Sequence, residues 1–260
     1  MSKKYFVASD IHSFFTVYYN ALLEKQFDIN NSDHILIICG DLFDRGQEAK
    51  ELLNFLLSIP EDRLILIKGN HEDLLLDCLD EIDKGYPPGY HHWSNKTVDT
   101  LAQLTGIDKY DFYDIAHTSN IREKLKDYFK LMERAVDYYE IGTYIFVHGW
   151  VPYILQDEHD PSGELSIISK PIIKLDAEES MWKDARWRNG MQEAAKGIII
   201  PGKTIVCGHW HTGWGHYKLH NEGSSQNDNF DIFEDCGIIA LDASTVISNK
   251  VNVLVLDIKE

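Results

Sequence analysis

Five short segments of the sequence carry side chains that bind metal ions or transfer protons. The segments are Asp10-Ile11-His12, Gly40-Asp41-Leu42-Phe43-Asp44-Arg45-Gly46, Gly69-Asn70-His71-Glu72, His148 and Gly208-His209-Trp210-His211. Carboxylate oxygen, amide oxygen and imidazole nitrogen form a mixed donor set, which suits Mn, Fe, Zn or Co better than Ca or a thiolate-bound ion. The pattern therefore indicates a site for transition-metal ions, and histidine is also the side chain that transfers protons most readily near neutral pH.

Each of these segments follows an apolar run that predicts a buried strand. The predicted strands are Tyr5–Ser9, His34–Cys39, Arg63–Ile67, Tyr144–Val147 and Thr204–Cys207. The helices predicted beside the first three are Phe14–Phe27, Gln47–Ser58 and Glu72–Asp83. Strands that alternate with helices form sheets covered on both faces, and such sheets bind ligands at the carboxyl ends of their strands. We expect Asp10 and His12 to lie in extended backbone, where residues i and i+2 point to the same side and reach one ion.

The rest of the chain gives weaker patterns. Residues 86–140 look helical and polar, with helices predicted at Lys96–Leu104 and Ile121–Arg134, and with His91-His92-Trp93 in an exposed loop. Residues 151–200 look irregular, Asn221–Asp231 is predicted to be an exposed loop, and two C-terminal strands, Ile238–Leu241 and Val251–Ile258, are predicted to form a meander. No repeat or linker divides the chain, so we predict one domain over residues 1–260 with a helical insert around 86–140.

The composition limits the classes of partner. The chain has 260 residues and a formal charge of -17, from 25 basic and 42 acidic residues. This argues against stable binding to nucleic acid or to an anionic membrane, both of which need a basic face. A phosphorylated substrate is still compatible with this negative charge, because bound divalent ions reverse the local field.

The sequence contains no apolar stretch of ~18 residues, and its N-terminal apolar run is too short for a signal peptide. A cytoplasmic location is therefore expected. The cysteines lack C-x-x-C spacing, and Cys39 and Cys207 are predicted to be buried free thiols.

Taken in order, the motifs resemble those of the calcineurin-like metallophosphoesterase superfamily. The form G-D-x-x-D-R-G at residues 40–46 is similar to the branch that holds the phosphoprotein (Ser/Thr) phosphatases, the phage lambda-type phosphatases and the symmetrical diadenosine tetraphosphatases. The motifs span residues 10–211, and residues 239–246 also look like the closing strand pair of that branch. The resemblance implies an α/β fold, a four-layer αββα sandwich of two mixed β-sheets flanked by helices.

The resemblance also implies which residues bind metal. Two divalent or trivalent transition-metal ions are expected, with Mn as the first choice and Fe, Zn, Co or Ni as alternatives. Asp10 and His12 would bind the first ion, and Asp41 would bridge the two. The second ion would be bound by Asn70, His148 and His209. His211 matches an extra ligand to the first ion, which the phosphatases with the most similar motifs often lack.

The catalytic and substrate-binding residues are implied in the same way. His71 would be the general acid, oriented by Asp44, and Arg45 and Asn70 would contact the phosphate. A second phosphate-binding arginine is expected between the late histidine motifs, and Arg186 and Arg188 are equal candidates. The protein phosphatases usually carry arginine before G-N-H-E, but this chain has Lys68 there, and lysine does not offer a bidentate fork.

The function implied is dinuclear-metal-dependent hydrolysis of a phosphoester. Two ions can share a hydroxide and hold it in line with phosphorus, while a histidine protonates the leaving group. The first hypothesis is a phosphomonoesterase of the protein Ser/Thr phosphatase type, and the alternative is a symmetrical dinucleoside tetraphosphate hydrolase. The substrate would be a phosphoprotein or a nucleotide. A nuclease is disfavoured by the acidic charge, and a catalytically silent phospho-ligand-binding module is disfavoured because the ligands, the acid and the arginine are all present. The sequence leaves the oligomeric state open.

Overall fold

The protein consists of two β-sheets, a separate hairpin and eleven helices in the described part of the chain. A computed structural model describes residues 2–113, 120–159 and 167–259. The strands are β1 (Ser2–Ala8), β2 (His34–Cys39), β3 (Leu64–Ile67), β4 (Tyr139–Ile141), β5 (Tyr144–Phe146), β6 (Tyr153–His159), β7 (Ile167–Ile173), β8 (Thr204–Cys207), β9 (Phe233–Asp235), β10 (Ile238–Ala240) and β11 (Leu254–Lys259). The helices are α1 (Phe15–Glu24), α2 (Ala49–Ser58), α3 (Asn70–Asp83), α4 (Tyr90–Ser94), α5 (Thr97–Thr105), α6 (Ile121–Lys124), α7 (Lys126–Met132), α8 (Glu179–Arg186), α9 (Gly190–Ala195), α10 (Thr212–Lys218) and α11 (Thr245–Ser248).

Both large sheets are mixed. The first has the order β11-β1-β2-β3, in which β1, β2 and β3 run parallel and β11 runs antiparallel to β1. The second has the order β4-β5-β8-β10-β9, with a parallel centre of β5, β8 and β10 between two antiparallel edge strands. Strands β6 and β7 pair only with each other. Because the parallel strands of each large sheet run in one direction, their carboxyl ends, which the metal-binding motifs follow, lie at the same edge of that sheet.

Alternation along the strands divides the core into three layers of side chains. In β2, Ile35, Ile37 and Cys39 pack between the two sheets, against residues such as Phe146 and Val206 of the second sheet. The intervening Leu36 and Ile38 pack against the helices that cover the first sheet. The outer face of the second sheet packs against Trp182 and Met191 of α8 and α9. The predicted four-layer αββα sandwich is confirmed.

Most elements predicted before the middle of the chain are confirmed within two or three residues. The predicted helix Ile121–Arg134 is divided at Leu125 into α6 and α7. His91-His92-Trp93, predicted as an exposed loop, instead forms most of α4, and His92 is fully buried. Residues 114–119 of the predicted helical insert lie outside the described residues.

Two predictions for the second half are wrong. Residues 151–200 are not irregular, because they contain the β6–β7 hairpin and helices α8 and α9; residues 160–166 of this stretch lie outside the described residues. The C-terminal strands do not form a meander, because β10 pairs with β8 and β9 in the second sheet while β11 pairs with β1 in the first. Within the described residues no helix is both long and apolar enough to cross a membrane. Cys39 and Cys207 are buried free thiols, as predicted.

Candidate metal centre

The loops that follow β1 and β2 bend sharply where they present their side chains. Asp10, His12 and Asp41 have φ values of 53°, 51° and 53°, in the left-handed region that residues other than glycine rarely adopt. The expectation that Asp10 and His12 lie in extended backbone is therefore wrong, because β1 ends at Ala8 and the chain turns toward the loop after β2. Backbone bonds join the two loops: the Asp10 N–H donates to Gly40 O and the His12 N–H to Asp41 O, both at 3.1 Å.

Four predicted ligand side chains meet around Asp41. His148 Nε2 lies 3.2 Å from Asp41 Oδ1 and 2.8 Å from Asn70 Oδ1. On the other side, His12 Nε2 lies 3.7 Å from Asp41 Oδ2. Potential ligand atoms of Asp41, His148 and His209 all lie within 4.8 Å of one another, and the same holds for His12, Asp41 and His71. Asp41 thus belongs to both groups, which is the arrangement needed for a bridging ligand.

Two histidines are fixed with their Nε2 atoms facing this point. His12 Nδ1 lies 3.0 Å from Phe43 O, and His148 Nδ1 lies 2.8 Å from Cys39 O. A carbonyl oxygen only accepts, so each Nδ1 carries the hydrogen and each Nε2 presents a lone pair. His148 Nε2, Asn70 Oδ1 and Asp41 Oδ1 are therefore three neighbouring acceptor atoms, with no hydrogen-bond donor of the described residues between them.

The pKa shifts of the side chains at the site also indicate a bound cation. Burial raises the pKa values of the Asp10 and Asp41 carboxyls well above the ordinary range, and the charges of Asp242 and Asp10, respectively, add to the rise. Burial lowers the pKa values of His12 and His148, and it lowers the pKa of His209 to about 4. Neutral imidazoles beside crowded carboxyls are what a cation requires, because metal ligands must be deprotonated. The donor set and its geometry fit two metal ions.

Two glycines allow the ligand loops to approach one another. A Cβ atom on Gly208 would lie 1.7 Å from Ser9 Oγ and 2.1 Å from Asp10 Oδ2. A Cβ atom on Gly69 would lie 2.3 Å from Asp41 Oδ1. Any larger residue at either position would push a predicted metal ligand out of place.

Glu72 and Asp242 are site residues that the sequence did not identify. Glu72 is buried and accepts N–H groups from Gly69 at 2.7 Å, Asp41 at 3.0 Å and Leu42 at 2.9 Å, which ties the start of α3 to the loop after β2. Its place three residues after Gly69 is the capping-box position, a signal that could have found it. Asp242 is also buried, and burial raises its pKa to about 6.

A second group of side chains surrounds His71. His71 Nδ1 lies 2.7 Å from Asp44 Oδ2, and Asp44 is fully buried. The hydroxyls of Thr97 and Thr100 donate to the Asp44 carboxylate at 2.7 and 2.8 Å. Arg45 Nη2 lies 3.4 Å from His71 Nε2. The two threonines belong to α5 in the predicted insert, and no motif in the sequence indicates that they reach the site.

The comparison with protein families agrees with this arrangement. A family model described as calcineurin-like phosphoesterase matches residues 3–213. The chain belongs to the calcineurin-like phosphoesterase family. Calcineurin-like phosphoesterases use divalent metal ions, so this chain is a metal-dependent phosphatase that hydrolyses phosphoesters. A comparison with curated protein sequences found no match.

Three solved structures are similar to this calcineurin-like phosphoesterase at low sequence identity. A cold-active protein tyrosine phosphatase has a TM-score of 0.51 and 16% identity, over 98% of this chain and 73% of that one. A putative diadenosine tetraphosphatase has a TM-score of 0.48 and 11% identity, over 98% and 93% of the two chains. A protein serine/threonine phosphatase from Saccharomyces cerevisiae has a TM-score of 0.42 and 18% identity, over 80% and 61%. At these identities the first structure supports the fold and leaves the substrate open.

Arg186 and Arg188, the two candidates for a second phosphate-binding arginine, make other contacts in this calcineurin-like phosphoesterase. Arg186 is 2% exposed, and its guanidinium is bound at 2.7, 2.5 and 2.9 Å by Asp73, Asp137 and Glu179. Its expected contact with phosphate is therefore not supported, because three carboxylates already surround its charge. The guanidinium of Arg188 lies 4.1 Å from the centre of the Tyr153 ring, in a cation–π contact.

Lys68 and His211 occupy different settings. Lys68 Nζ lies 3.4 Å from both Asp137 and Glu179, two of the three carboxylates that also bind Arg186. This lysine therefore has acidic partners as well. His211 begins α10, and its Nδ1 is buried with no hydrogen-bond partner among the described residues. His211 does not belong to either ligand-atom group around Asp41, and its role as a ligand remains a prediction.

Proposed function

We propose that this metal-dependent phosphatase is a phosphomonoesterase of the protein Ser/Thr phosphatase type. The observation that carries the proposal is the convergence of acceptor atoms on His148 Nε2, next to an acid–base pair formed by His71 and Asp44. Such a pairing of a cation site with a proton donor is what hydrolysis of an alkyl phosphate requires.

The metal ligands are proposed from the motif positions together with the two ligand-atom groups that share Asp41; Asp10 and Asn70 are assigned from the motifs alone. Asp10, His12 and Asp41 would hold one ion, and His211 is the candidate for an additional ligand to it. Asp41, Asn70, His148 and His209 would hold the other. The donor set supports Mn first, with Fe, Zn, Co or Ni as alternatives. When bound, the ions would lower the pKa of water so that a hydroxide nucleophile exists at neutral pH, and they would supply positive charge for the phosphoryl oxygens.

His71 is proposed to protonate the leaving alkoxide. Its Nδ1 is 2.7 Å from the buried Asp44 carboxylate, which fixes the ring orientation and places a hydrogen on Nδ1. The proton that is transferred therefore sits on Nε2, the atom that faces Arg45 and Asp41. Asp44 acts through His71 and does not touch the substrate, because Thr97 and Thr100 occupy its remaining acceptor sites.

Arg45 is proposed to bind the phosphoryl oxygens. Its side chain is exposed, its φ is 61°, and its Nη2 atom has only long contacts of 3.4 Å, with His71 and Asn95. A guanidinium so placed keeps donors available for a phosphate. Asn70 stays a second candidate for this contact, next to its role as a metal ligand.

The number of cationic side chains available for phosphate favours a substrate with one phosphoryl group over a tetraphosphate. Among the described residues considered for phosphate binding, Arg186 and Lys68 have carboxylate partners, which leaves Arg45 and Arg188. Arg188 lies over the Tyr153 ring, and a stacked guanidinium keeps its N–H donors. A dinucleoside tetraphosphate carries several charges that would need further cations. The formal charge of -17 likewise supports the expectation that the protein does not bind nucleic acid stably.

The proposal is tested by comparing rates on three substrates under identical conditions with Mn²⁺: phosphoserine and phosphothreonine peptides, diadenosine tetraphosphate and a cyclic nucleotide. We expect the highest kcat/KM on the phosphopeptides. A higher kcat/KM on diadenosine tetraphosphate would refute the substrate assignment but keep the chemistry. Activity on an aryl phosphate should disappear with a chelator and return with Mn²⁺, and activity that persists in thorough chelation would refute the metal-dependent chemistry.

A further inference from the structure

A second cluster of metal-binding side chains lies where α3 meets α4, outside the centre described above. Glu81 lies near the end of α3, and His91 and His92 lie within α4. Potential ligand atoms of these three residues lie within 4.8 Å of one another. The cluster includes one buried side chain, His92, while Glu81 is half-buried and His91 is exposed.

His92 is the observation that points to a ligand. Its side chain is 0% exposed, and within the described part of the chain neither ring nitrogen has a hydrogen-bond partner. Buried polar side chains almost always have partners, because a buried polar group without one loses its hydrogen bonds to water and gains none in return. An imidazole with two unpaired nitrogens is therefore unusual unless something else binds it.

The Glu81 carboxylate lies near both histidines, beside Gly89. His92 Nε2 lies 3.5 Å from Glu81 Oε2, and the rings of His91 and His92 have centres 3.8 Å apart. A Cβ atom on Gly89 would lie 3.1 Å from His91 Nδ1 and 3.5 Å from Glu81 Oε1, so both atoms border the same space. The Gly89 N–H donates to Glu81 Oε2 at 2.7 Å, which holds the carboxylate in this orientation.

We propose that Glu81, His91 and His92 form a site for one transition-metal ion of the Zn²⁺ type. Zn²⁺ binds imidazole nitrogen and carboxylate oxygen at 2.0–2.2 Å in tetrahedral geometry, which separates neighbouring ligand atoms by about 3.4 Å. The separation of 3.5 Å between His92 Nε2 and Glu81 Oε2 matches this value.

The ion would fix a short helix beside the catalytic centre. Helix α4 has five residues, too few to be stable without tertiary contacts. The Asn95 side chain donates to His91 O at 2.9 Å and accepts from Arg45 at 3.4 Å. Binding at His91 and His92 would therefore hold Asn95 in place next to the arginine that we assign to the phosphate.

A comparable cluster elsewhere provides the control. His216, His220 and Glu222 also bring ligand atoms within 4.8 Å of one another. There, however, His216 Nδ1 lies 2.6 Å from Glu222 and His216 Nε2 lies 3.1 Å from Asp231 O, so both ring nitrogens have partners. This cluster needs no ion, and its exposed His220 can be replaced as a matched control for His91.

The site is tested by measuring the Zn²⁺ content of the full chain after equilibrium dialysis, for the wild type and for H91Q, E81Q and H220Q. His91 and Glu81 are not fully buried, so these variants should fold, and unchanged far-UV circular dichroism will verify this. We expect the wild type and H220Q to bind one more Zn²⁺ per chain than H91Q and E81Q do, or to bind that ion at least about tenfold more tightly. Zn²⁺ should also raise the Tm of the wild type and of H220Q more than that of H91Q.

Three results would overturn the site. One is equal Zn²⁺ content and equal affinity in all four proteins. Another is the loss of more than one ion in H91Q and E81Q, which would place the effect in the catalytic centre. The last is an equal loss in H220Q, which would show that any exposed histidine accounts for the binding.

Discussion

Replacing Glu72 by glutamine should loosen the metal centre without altering any predicted ligand. The Glu72 carboxylate accepts three backbone N–H groups, from Gly69 and Asp41 at Oε2 and from Leu42 at Oε1. A glutamine has one acceptor oxygen, so in its best orientation it keeps two of these bonds and turns its NH₂ group toward the Leu42 N–H. The third donor is then left buried and unpaired.

The expected loss of stability follows from that lost hydrogen bond. An unpaired buried donor costs about 1–3 kcal/mol, and hydrogen bonds to a charged acceptor are at the strong end of the range. Glutamine also removes a buried carboxylate that repels Asp41, which offsets part of the cost before metal binds. We therefore expect the free energy of unfolding to fall by about 1–2 kcal/mol, or Tm by about 2–8 °C for a chain of this size.

Metal affinity should change more than stability. Glu72 holds the Asp41 N–H, and with it the loop that carries the ligand shared by both ion sites. Residues that orient metal ligands typically contribute 10–100-fold to affinity, and the lost negative charge acts in the same direction. Mn²⁺ binding by isothermal titration calorimetry, together with urea unfolding of the metal-free protein, measures both quantities.

The control is Glu48→Gln, because Glu48 also accepts a backbone N–H, from Thr16 at 2.9 Å, but is partly exposed. It should change the unfolding free energy by less than about 0.5 kcal/mol and leave Mn²⁺ affinity unchanged. The reasoning is refuted if Glu72→Gln binds Mn²⁺ within threefold of the wild type, or if the two variants behave alike.

Three further substitutions test individual roles. His71→Asn should lower kcat about 10²–10⁴-fold on a phosphoserine peptide but much less on an aryl phosphate, whose leaving group needs no proton, and equal losses would remove His71 as the acid. Arg186→Met should destabilise the protein by about 3–5 kcal/mol, because three carboxylates lose their cation. The KM for aryl phosphate should not change. A raised KM at unchanged stability would instead make Arg186 a phosphate ligand. Trp187 is 53% exposed with its ring 5.6 Å from that of His209, so Trp187→Ala should raise KM about 3–10-fold at constant kcat, and a fall in kcat alone would contradict a substrate contact.

The three parallel strands of the first sheet could be predicted well from the sequence because their signals are local. A strand such as His34–Cys39 is a continuous apolar run with a polar residue on one side and glycine on the other, and its bounds match the structure. The hairpin of β6 and β7 offers no such signal. Its second strand contains Pro171, which normally argues against a strand, but β7 pairs on one side only and so tolerates proline.

The candidate ligands could be named from motif and position, but their surroundings could not. Arg186 illustrates the difference, because its three acidic partners come from α3, from the segment before β4 and from α8. No spacing along the chain indicates that these segments meet. His92 illustrates it again: a histidine in a segment rich in glycine and proline predicts exposure, and only the packing of α4 against α3 makes it buried.

The backbone of the ligand loops explains why the local pattern alone was misleading for Asp10 and His12. Asp10, His12, Asp41 and His209 all have φ between 51° and 68°, a conformation that costs residues other than glycine about 1–3 kcal/mol each. Sequence propensity disfavours this state at each position, so it persists only because neighbouring loops hold it. The bonds that do so are made by backbone groups, such as the Asp10 N–H to Gly40 O and the His12 N–H to Asp41 O. Because these two bonds join backbone groups, they hold the loops after β1 and β2 in the bent form without using the side-chain atoms that would bind an ion. The His209 N–H, by contrast, is held by a ligand side chain, since it donates to Asp10 Oδ2 at 3.0 Å.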